Sequence, residues 1–514
     1  MSHLLARLSS LSPVVLAGLR RGIEKESLRV RLDGTLATTP HPRVLGAALT
    51  HPHITTDFSE AQLEFITGVH STATACLDEL KNIHRFVYRH IGDEMLWCAS
   101  MPCDLPDESA IPIAHFGRSN VGRAKTVYRI GLSHRYGRRM QMISGIHYNF
   151  SLAEESWPLA DFRDFNEAYF ALIRNFRRQA WLLLYLFGAS PAVCASFVKG
   201  RAHELRELAP GTLYLPHATS LRMGRLGYLS AAQEALAVSY NDLPSYAASL
   251  EDALTRPYPT YETIGVGEGE DYRQLATSLL QLENEFYSTI RPKRVVRPGE
   301  RPLRALRERG VQYVEVRAMD LDPFSAIGIT AHTVRFLDVF LLHCLLSDSP
   351  PDTPQEIAAI GRNKQLVAAR GREPGLRLER GNETVELSEW SRQLLLECEP
   401  VAAALDAGNG SSEYRSALSA AFSVVADPES LPSARVLSAI RKRYRGSYFR
   451  FALEHSLEHR NVLLGELLPA DVESRLRRMA DESLDLQRLM EAEDVLPFET
   501  YRQQYLSPDS LQAH

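Results

Sequence analysis

Four short stretches of this chain alternate polar and apolar residues with period two, the pattern of a strand, in which residues i and i+2 share a face. They are Ile23-Glu24-Lys25-Glu26, Gln62-Leu63-Glu64-Phe65-Ile66, His147-Tyr148-Asn149-Phe150-Ser151 and Tyr313-Val314-Glu315-Val316-Arg317. Glu24 with Glu26, His147 with Asn149, and Glu315 with Arg317 therefore point the same way. Tyr148, Phe150, Val314 and Val316 point into a core. Carboxylates, one imidazole and one guanidinium on strand faces from segments this far apart imply a metal and phosphate site on a curved sheet.

Taken singly, each residue has an ordinary structural explanation. Glu24 and Glu26, beside Arg20, Arg21, Lys25 and Arg29, could form a solvated edge strand with surface ion pairs. Asp57 could cap a helix from Phe58 onward. His147 could be a hydrogen-bonded structural histidine, and Glu315 with Arg317 a local pair. The joint case is stronger, because each segment independently puts its charge where a core-facing strand should carry none.

Oxygen donors with a single histidine and no cysteine favour hard cations, so magnesium or manganese is preferred over zinc or copper. The candidate ligands are Glu24, Glu26, Asp57, Glu64, His147 and Glu315. Six donors exceed the needs of one magnesium ion, which keeps waters and phosphate oxygens in its shell, so two or more ions bridging a nucleotide triphosphate are expected. Without them the converging carboxylates repel and raise one another's pKa values.

The 514 residues, 45% hydrophobic and 24% charged, suit one large globular domain with elaborations or a few domains. A formal charge of −5 over this length, with cations scattered except at Arg291-Pro292-Lys293-Arg294, sets nucleic-acid binding aside. Cys76, Cys98, Cys103, Cys194, Cys344 and Cys398 lack CxxC spacing and read as reduced thiols rather than a disulfide framework. Cys98 and Cys103 are the close pair, better explained as two semi-buried thiols than as a redox switch. Met1 to Leu19 reads as an amphipathic helix, not a signal peptide. The apolar run Ala180 to Val193 is broken by Gly188 and Pro191 and falls short of the roughly 20 residues that span a bilayer. A cytoplasmic location off the membrane is the expectation.

Helices are expected over Leu77, Leu80, His84, Val87 and Ile91, over Asp164 to Phe187, and over Thr333 to Leu346. Ser347 to Pro354 reads as the clearest linker, with the chemically interesting residues before it. This divides the chain into a catalytic core, 1–346, and a mostly helical part, 347–514, packed on it as one integrated unit. In that second part Val472, Leu476, Met479, Leu486 and Met490 mark a core or docking face. Gly265-Val266-Gly267-Glu268-Gly269 lacks the spacing and context of a nucleotide loop, and its acidic surroundings would repel phosphate, so a flexible loop is expected.

Arg21-Gly22-Ile23-Glu24-Lys25-Glu26-Ser27-Leu28-Arg29-Val30, Thr55-Thr56-Asp57-Phe58-Ser59-Glu60, Leu63-Glu64-Phe65-Ile66-Thr67 and Ile143-Ser144-Gly145-Ile146-His147-Tyr148-Asn149-Phe150-Ser151 together resemble the proteobacterial glutamate–cysteine ligases. Gln281-Leu282-Glu283-Asn284-Glu285-Phe286-Tyr287, the Arg291–Arg294 run and Tyr313-Val314-Glu315-Val316-Arg317 continue the match, in order, from about residue 20 to about residue 345.

The resemblance implies an α+β fold similar to glutamine synthetase and the guanidino kinases, a curved antiparallel sheet forming a funnel with surrounding helices. It implies an ATP-dependent ligase that joins L-glutamate to L-cysteine, giving γ-glutamylcysteine, the first step of glutathione synthesis. It carries metal ligation, by two to three magnesium ions, onto Glu24, Glu26, Asp57, Glu64, His147 and Glu315. Arg317 matches an arginine contacting glutamate and the transferred phosphate, with Asn149 on the same wall. Arg222, Tyr228 and Tyr287 match the cysteine pocket, which Tyr128 also lines.

A carboxylate is a poor acyl donor, so the γ-carboxylate must first be phosphorylated and the acyl phosphate then attacked by an amine. Positioning and charge neutralisation suffice for that transfer, from the metal ions and Arg317, with Glu315 as a catalytic metal ligand beside them. Lys125 and Arg129 are candidates for the nucleotide phosphates, or else solvated helix-surface cations. Asp57 is a candidate to take the amine's proton. Two alternatives stand beside this: a relative on the same scaffold, either a ligase with another amine acceptor or a guanidino-type phosphotransferase, and a non-catalytic sensor of glutamate, nucleotide or a partner protein. A sensor should have lost metal carboxylates, and none is lost. The expected partners are the small-molecule substrates, and a monomer is expected.

Overall fold

A computed structural model describes residues 2–157, 164–227, 232, 236–269 and 271–513. The strands are β1 (Leu19–Arg31), β2 (Ile54–Thr56), β3 (Gln62–Ile66), β4 (Glu94–Leu96), β5 (Ile146–Leu152), β6 (Ala192–Cys194), β7 (Arg206–Ala209), β8 (Thr212–Tyr214), β9 (Ile290–Lys293), β10 (Tyr313–Met319), β11 (Arg377–Arg380) and β12 (Glu383–Glu386). The main sheet runs β2-β3-β1-β5-β10-β9 with every neighbouring pair antiparallel, and β4 pairs with the C-terminal end of β1. It is an open sheet, and a register shift between Val316 and Met319 bends β10. Strands β6, β8 and β7 form a small second sheet, and β11 and β12 a hairpin.

The alternation read from the sequence decides which face is covered. Ile23, Leu63, Phe65, Tyr148, Phe150, Val314 and Val316 are all at most 1% exposed. Helices Ala73–Tyr88, Phe165–Gln179 and Ala331–Leu346 pack around that side of the sheet and against one another. The fold is the expected α+β architecture.

Strand β1 is central, not a solvated edge, and its basic residues at odd positions are buried on the covered side. Arg21 meets Asp338 with Nε at 3.2 Å and Nη2 at 3.1 Å, and the Tyr148 hydroxyl donates to the same carboxylate at 2.6 Å. Lys25 donates to Ser27 Oγ at 2.6 Å and lies 2.9 Å from His84 Nε2; burial pushes its ammonium down to about 7. Arg29 pairs with Glu94 at 2.5 Å. Ion pairs this deep hold partners in place more than they add stability, since each charge has been taken out of water.

Several local expectations are revised by tertiary context. Asp164 to Phe187 holds two helices, Phe165–Gln179 and Trp181–Phe187, separated at Ala180, and Ile91 lies beyond the end of the Ala73–Tyr88 helix. The N-terminal stretch forms two short helices, Ser2–Ser10 and Pro13–Ala17, with Leu19 already in β1. The segment 347–354 is tied down rather than loose: Arg174 donates to the Ser349 carbonyl at 3.0 Å, Arg178 to the Pro350 carbonyl at 2.7 Å, and Arg177 pairs with Asp352 at 2.9 Å. In helix Ala470–Glu493 the apolar stripe docks only near its start, with Leu476 1% exposed and Leu486 48% exposed. Gly265 to Gly269 is a loop, with positive φ at all three glycines.

The cysteine expectation fails at one pair. Cys103 and Cys194, 91 positions apart, are joined as a disulfide with their Cα atoms 5.2 Å apart, while Cys76, Cys98, Cys344 and Cys398 are buried thiols. Spacing along the chain pointed to Cys98 as the near neighbour of Cys103, but only folding decides which sulfurs meet. Among the described residues no helix is long and apolar enough to cross a membrane.

Candidate active site

The antiparallel register assembles the charges. Glu24 stands opposite His147 across β1 and β5, Glu26 opposite Glu64 across β1 and β3, and Glu315 opposite both Asn149 on β5 and Arg291 on β9. Neighbouring strands lie about 5 Å apart, so residues paired on one face are in side-chain contact without any loop having to place them.

His147 is the hub. Its Nδ1 lies 3.3 Å from Glu24, 3.6 Å from Glu315 and 3.3 Å from Arg317 Nη1, and its Nε2 lies 3.6 Å from Glu26. Ligand atoms of Glu24, Glu64 and His147 lie within 4.8 Å of one another. Asn149 Nδ2 donates to Glu24 at 2.9 Å, and the Gly145 amide to Glu26 at 2.8 Å. Asp57 lies just past β2; its charge reaches Glu26 and Glu64, and its carbonyl accepts from Arg129 Nε.

The carboxylates divide by electrostatic surroundings. Burial and the neighbouring Asp57 push Glu26 up to about 8, and burial with Asp57, Glu24 and Glu26 pushes Glu64 well above the usual range. For Glu315, burial works in the same direction but is outweighed by Lys293 at 3.6 Å and Arg317 at 3.2 Å, which hold it well below the usual range. Burial and the adjacent Arg317 push His147 down, so the imidazole is neutral and able to ligate at ordinary pH.

The donor set fits hard cations. It consists of buried and half-buried carboxylates and one imidazole, and the buried Glu315 Oε2 has no hydrogen-bond partner among the described residues. The other oxygen, Oε1, takes the contacts to Arg317, Lys293 and His147.

Arg222 is 2% exposed and lies behind β10, with Nη2 donating to the Arg317 carbonyl at 3.1 Å and Nη1 3.9 Å from Asp320. Its guanidinium lies over Gly145, where a Cβ would fall 2.1 Å from Nη2, so any larger residue there would displace the guanidinium. Arg222 and Arg317 line one pocket with Tyr287, Ser288 and Thr289. Tyr287 donates to Gln141 Oε1 at 3.3 Å and meets Tyr136 edge-on at 6.0 Å. Tyr128 is buried on helix Asn120–Tyr136, with its phenol pushed up by burial and by Glu285. Lys125 and Arg129, on the same helix, stand 5.3 and 4.3 Å from the Phe116 ring, Arg129 near Glu64 and Lys125 exposed. Tyr228 lies outside the described residues.

Lys293 and Arg291 are not among the site residues expected from the sequence. They appeared in the sequence only as an isolated basic run, yet they share a face of β9 next to Glu315. Their spacing of two, the same signal that marked Glu315 and Arg317, could have identified them.

A family model described as Glutamate-cysteine ligase matches residues 5–367. A glutamate–cysteine ligase of Alcanivorax borkumensis is 47% identical, over 98% of this chain and 99% of the relative. One of Pseudomonas paraeruginosa is 50% identical over 93% of this chain and 92% of the relative. The crystal structure of the Francisella tularensis glutamate–cysteine ligase in complex with AMP superposes with a TM-score of 0.90 at 37% identity, covering 95% of this chain and 97% of that one. With family model, relatives and architecture in agreement, the last two over nearly its whole length, this chain belongs to the glutamate–cysteine ligase family.

Proposed function

We propose that the chain joins the γ-carboxylate of L-glutamate to the amine of L-cysteine at the expense of ATP, through γ-glutamyl phosphate, giving γ-glutamylcysteine for glutathione biosynthesis. The observation that carries this reading is the convergence of Glu24, Glu64 and His147 within 4.8 Å, flanked by Arg317 and Lys293, in a chain whose relatives carry this activity in their names.

Two to three magnesium ions, or manganese, would be held by Glu24, Glu26, Asp57, Glu64, His147 and Glu315. When bound they neutralise phosphate charge and polarise the transferred phosphoryl group. Arg317 binds the glutamate carboxylate and draws off charge from the transferring phosphate, a role supported by its place beside Glu315 and His147. Asn149 fixes Glu24 on the same wall. Arg129 and Lys125 meet the nucleotide phosphates at the Glu64 end. Arg222, Tyr228, Tyr287 and Tyr128 hold the cysteine carboxylate and thiol. Asp57 accepts the amine's proton as it attacks the acyl phosphate.

Residues 1–346 and 347–514 work as one unit, in the cytoplasm and as a monomer, on small-molecule substrates alone. Support for the single unit comes from contacts such as Arg85 with Glu466, Asn120 with Asp494 at 2.5 Å and Tyr414 with Asp338 at 3.4 Å.

The test is ADP release by purified protein with ATP and magnesium, comparing glutamate, cysteine and both. Release that needs both amino acids and stops with a chelator is expected. Release with no dependence on cysteine, or none in any mixture, would overturn the reading.

A further inference from the structure

The pocket beside Arg317 is lined by Arg222, Tyr287, Ser288, Thr289 and Arg317 from the core, and by Lys364 from helix Pro354–Arg370, beyond the segment that divides the sequence. Three cations and no carboxylate line it. Arg317 has Glu315 at 3.2 Å and Arg222 has Asp320 at 3.9 Å, but Lys364 has no ion-pair or hydrogen-bond partner among the described residues. Burial and the charge of Arg177 both weigh on the Lys364 ammonium, which an anion in the pocket would relieve.

Helix packing fixes the aim of Lys364. The Ala368 carbonyl accepts the backbone amides of Thr219 at 3.0 Å and Ser220 at 3.2 Å, just ahead of Arg222. Lys364 stands one turn earlier on the same helix face, since residues i and i+4 are stacked. Asn363 locks the rotation of the helix, exchanging hydrogen bonds with the Glu379 backbone at 2.7 and 2.9 Å. Lys364 thus lines the pocket from a helix anchored on both sides.

We propose that Lys364 binds the α-carboxylate of the acceptor amino acid together with Arg222, so that the C-terminal helical part completes the acceptor pocket. This rests on the reading of that pocket as the cysteine site. Lys364 is a binding residue in this scheme and takes no part in phosphoryl transfer.

The test is steady-state kinetics of Lys364→Met and Lys364→Arg with cysteine and with cysteamine, an acceptor that keeps the thiol and amine but lacks the carboxylate. A hydrogen bond to a charged group is worth roughly a ten- to hundredfold change in binding, so Lys364→Met should raise KM for cysteine by about that factor. Its KM values for glutamate and ATP should stay within about twofold of the parent, its kinetics with cysteamine should match the parent's, and Lys364→Arg should recover most of the loss. An unchanged KM for cysteine, an equal penalty with cysteamine, or a penalty falling on glutamate would overturn the proposal. Should Lys364→Met melt early, Lys364→Gln carries the same comparison. If the parent itself releases no cysteine-dependent ADP, the ligase reading fails first and this inference falls with it.

Discussion

At the β10 end of the charge cluster Glu315 lies 3.2 Å from Arg317 and 3.6 Å from Lys293, whereas at the β3 end Glu26 faces Glu64 across the strand pair with Asp57 close by. Arg222 and Arg317 draw Glu26 down and Arg129 draws Glu64 down, but burial and the neighbouring carboxylates outweigh them. The first end carries its own countercharge and stays ionised. The second is an assembly of like charges that relaxes by taking up protons, as the upward shifts of Glu26 and Glu64 record. One sheet face thus holds a charge-compensated end and an end of mutually repelling carboxylates.

The largest effect should come from the self-compensated end. Arg317→Ala removes a guanidinium from where phosphate charge develops and should lower kcat by about 10²–10³-fold, read by ADP release at saturating substrates. A loss confined to the KM for glutamate would show that Arg317 only binds. Lys293→Met should have a smaller effect, about tenfold on kcat/KM, because Arg317 and Arg291 remain beside Glu315.

At the other end, Glu64→Gln should raise the melting temperature without magnesium by about 2 °C while cutting activity by about tenfold or more and reducing the shift that magnesium produces. The opposite sign of the two effects sharpens the contrast between ends; a fall in melting temperature in the metal-free protein would break it.

The pH profile of metal-free stability divides the same way. Glu26 is raised to about 8 in the fold, so between the ordinary glutamate pKa and about 8 the folded chain binds more protons than the unfolded one. Stability therefore falls as pH rises through that window, by up to about 1.4 kcal/mol per pH unit per proton, and magnesium should flatten this limb. His41 and His51 supply the acid limb: burial pushes each down to about 4, and the His51 Nδ1 accepts the Ile54 amide at 2.8 Å, which requires the neutral ring. Their contribution is present above the ordinary histidine pKa and lost as pH falls from about 6.5 towards 4. Thermal melts across pH 4–9 with chelator should give a maximum between the limbs. Glu26→Gln should shrink the alkaline slope to the part that Glu64 contributes and leave the acid limb unchanged.

Much of the site was legible because its signal is local. Glu24 with Glu26, and Glu315 with Arg317, declare a shared face through a spacing of two, and the structure puts Glu24, Glu26, Glu64, His147 and Glu315 on one face of one sheet. Arg21, Lys25 and Arg29 were misleading for the same reason. A basic residue between carboxylates looks like a surface partner until the fold supplies Asp338, His84 and Glu94 from other elements. Lys293 shares a legible spacing of two with Arg291, but only the pairing of β9 with β10 puts it beside Glu315, and nothing adjacent in sequence tells that helix Pro354–Arg370 brings Lys364 to the pocket of Arg317.

By itself the sequence determined the strands, their buried and polar faces, and the donor types that select hard cations, because side-chain alternation and ligand chemistry are properties of short segments. Only the tertiary structure decided which strands are neighbours, that Glu26 opposes Glu64 while Glu315 is given Lys293, that Cys103 meets Cys194, and that a helix past residue 353 lines the pocket. Those outcomes depend on pairings between segments tens to hundreds of residues apart, whose energies come from burial and register in the assembled sheet rather than from any local pattern.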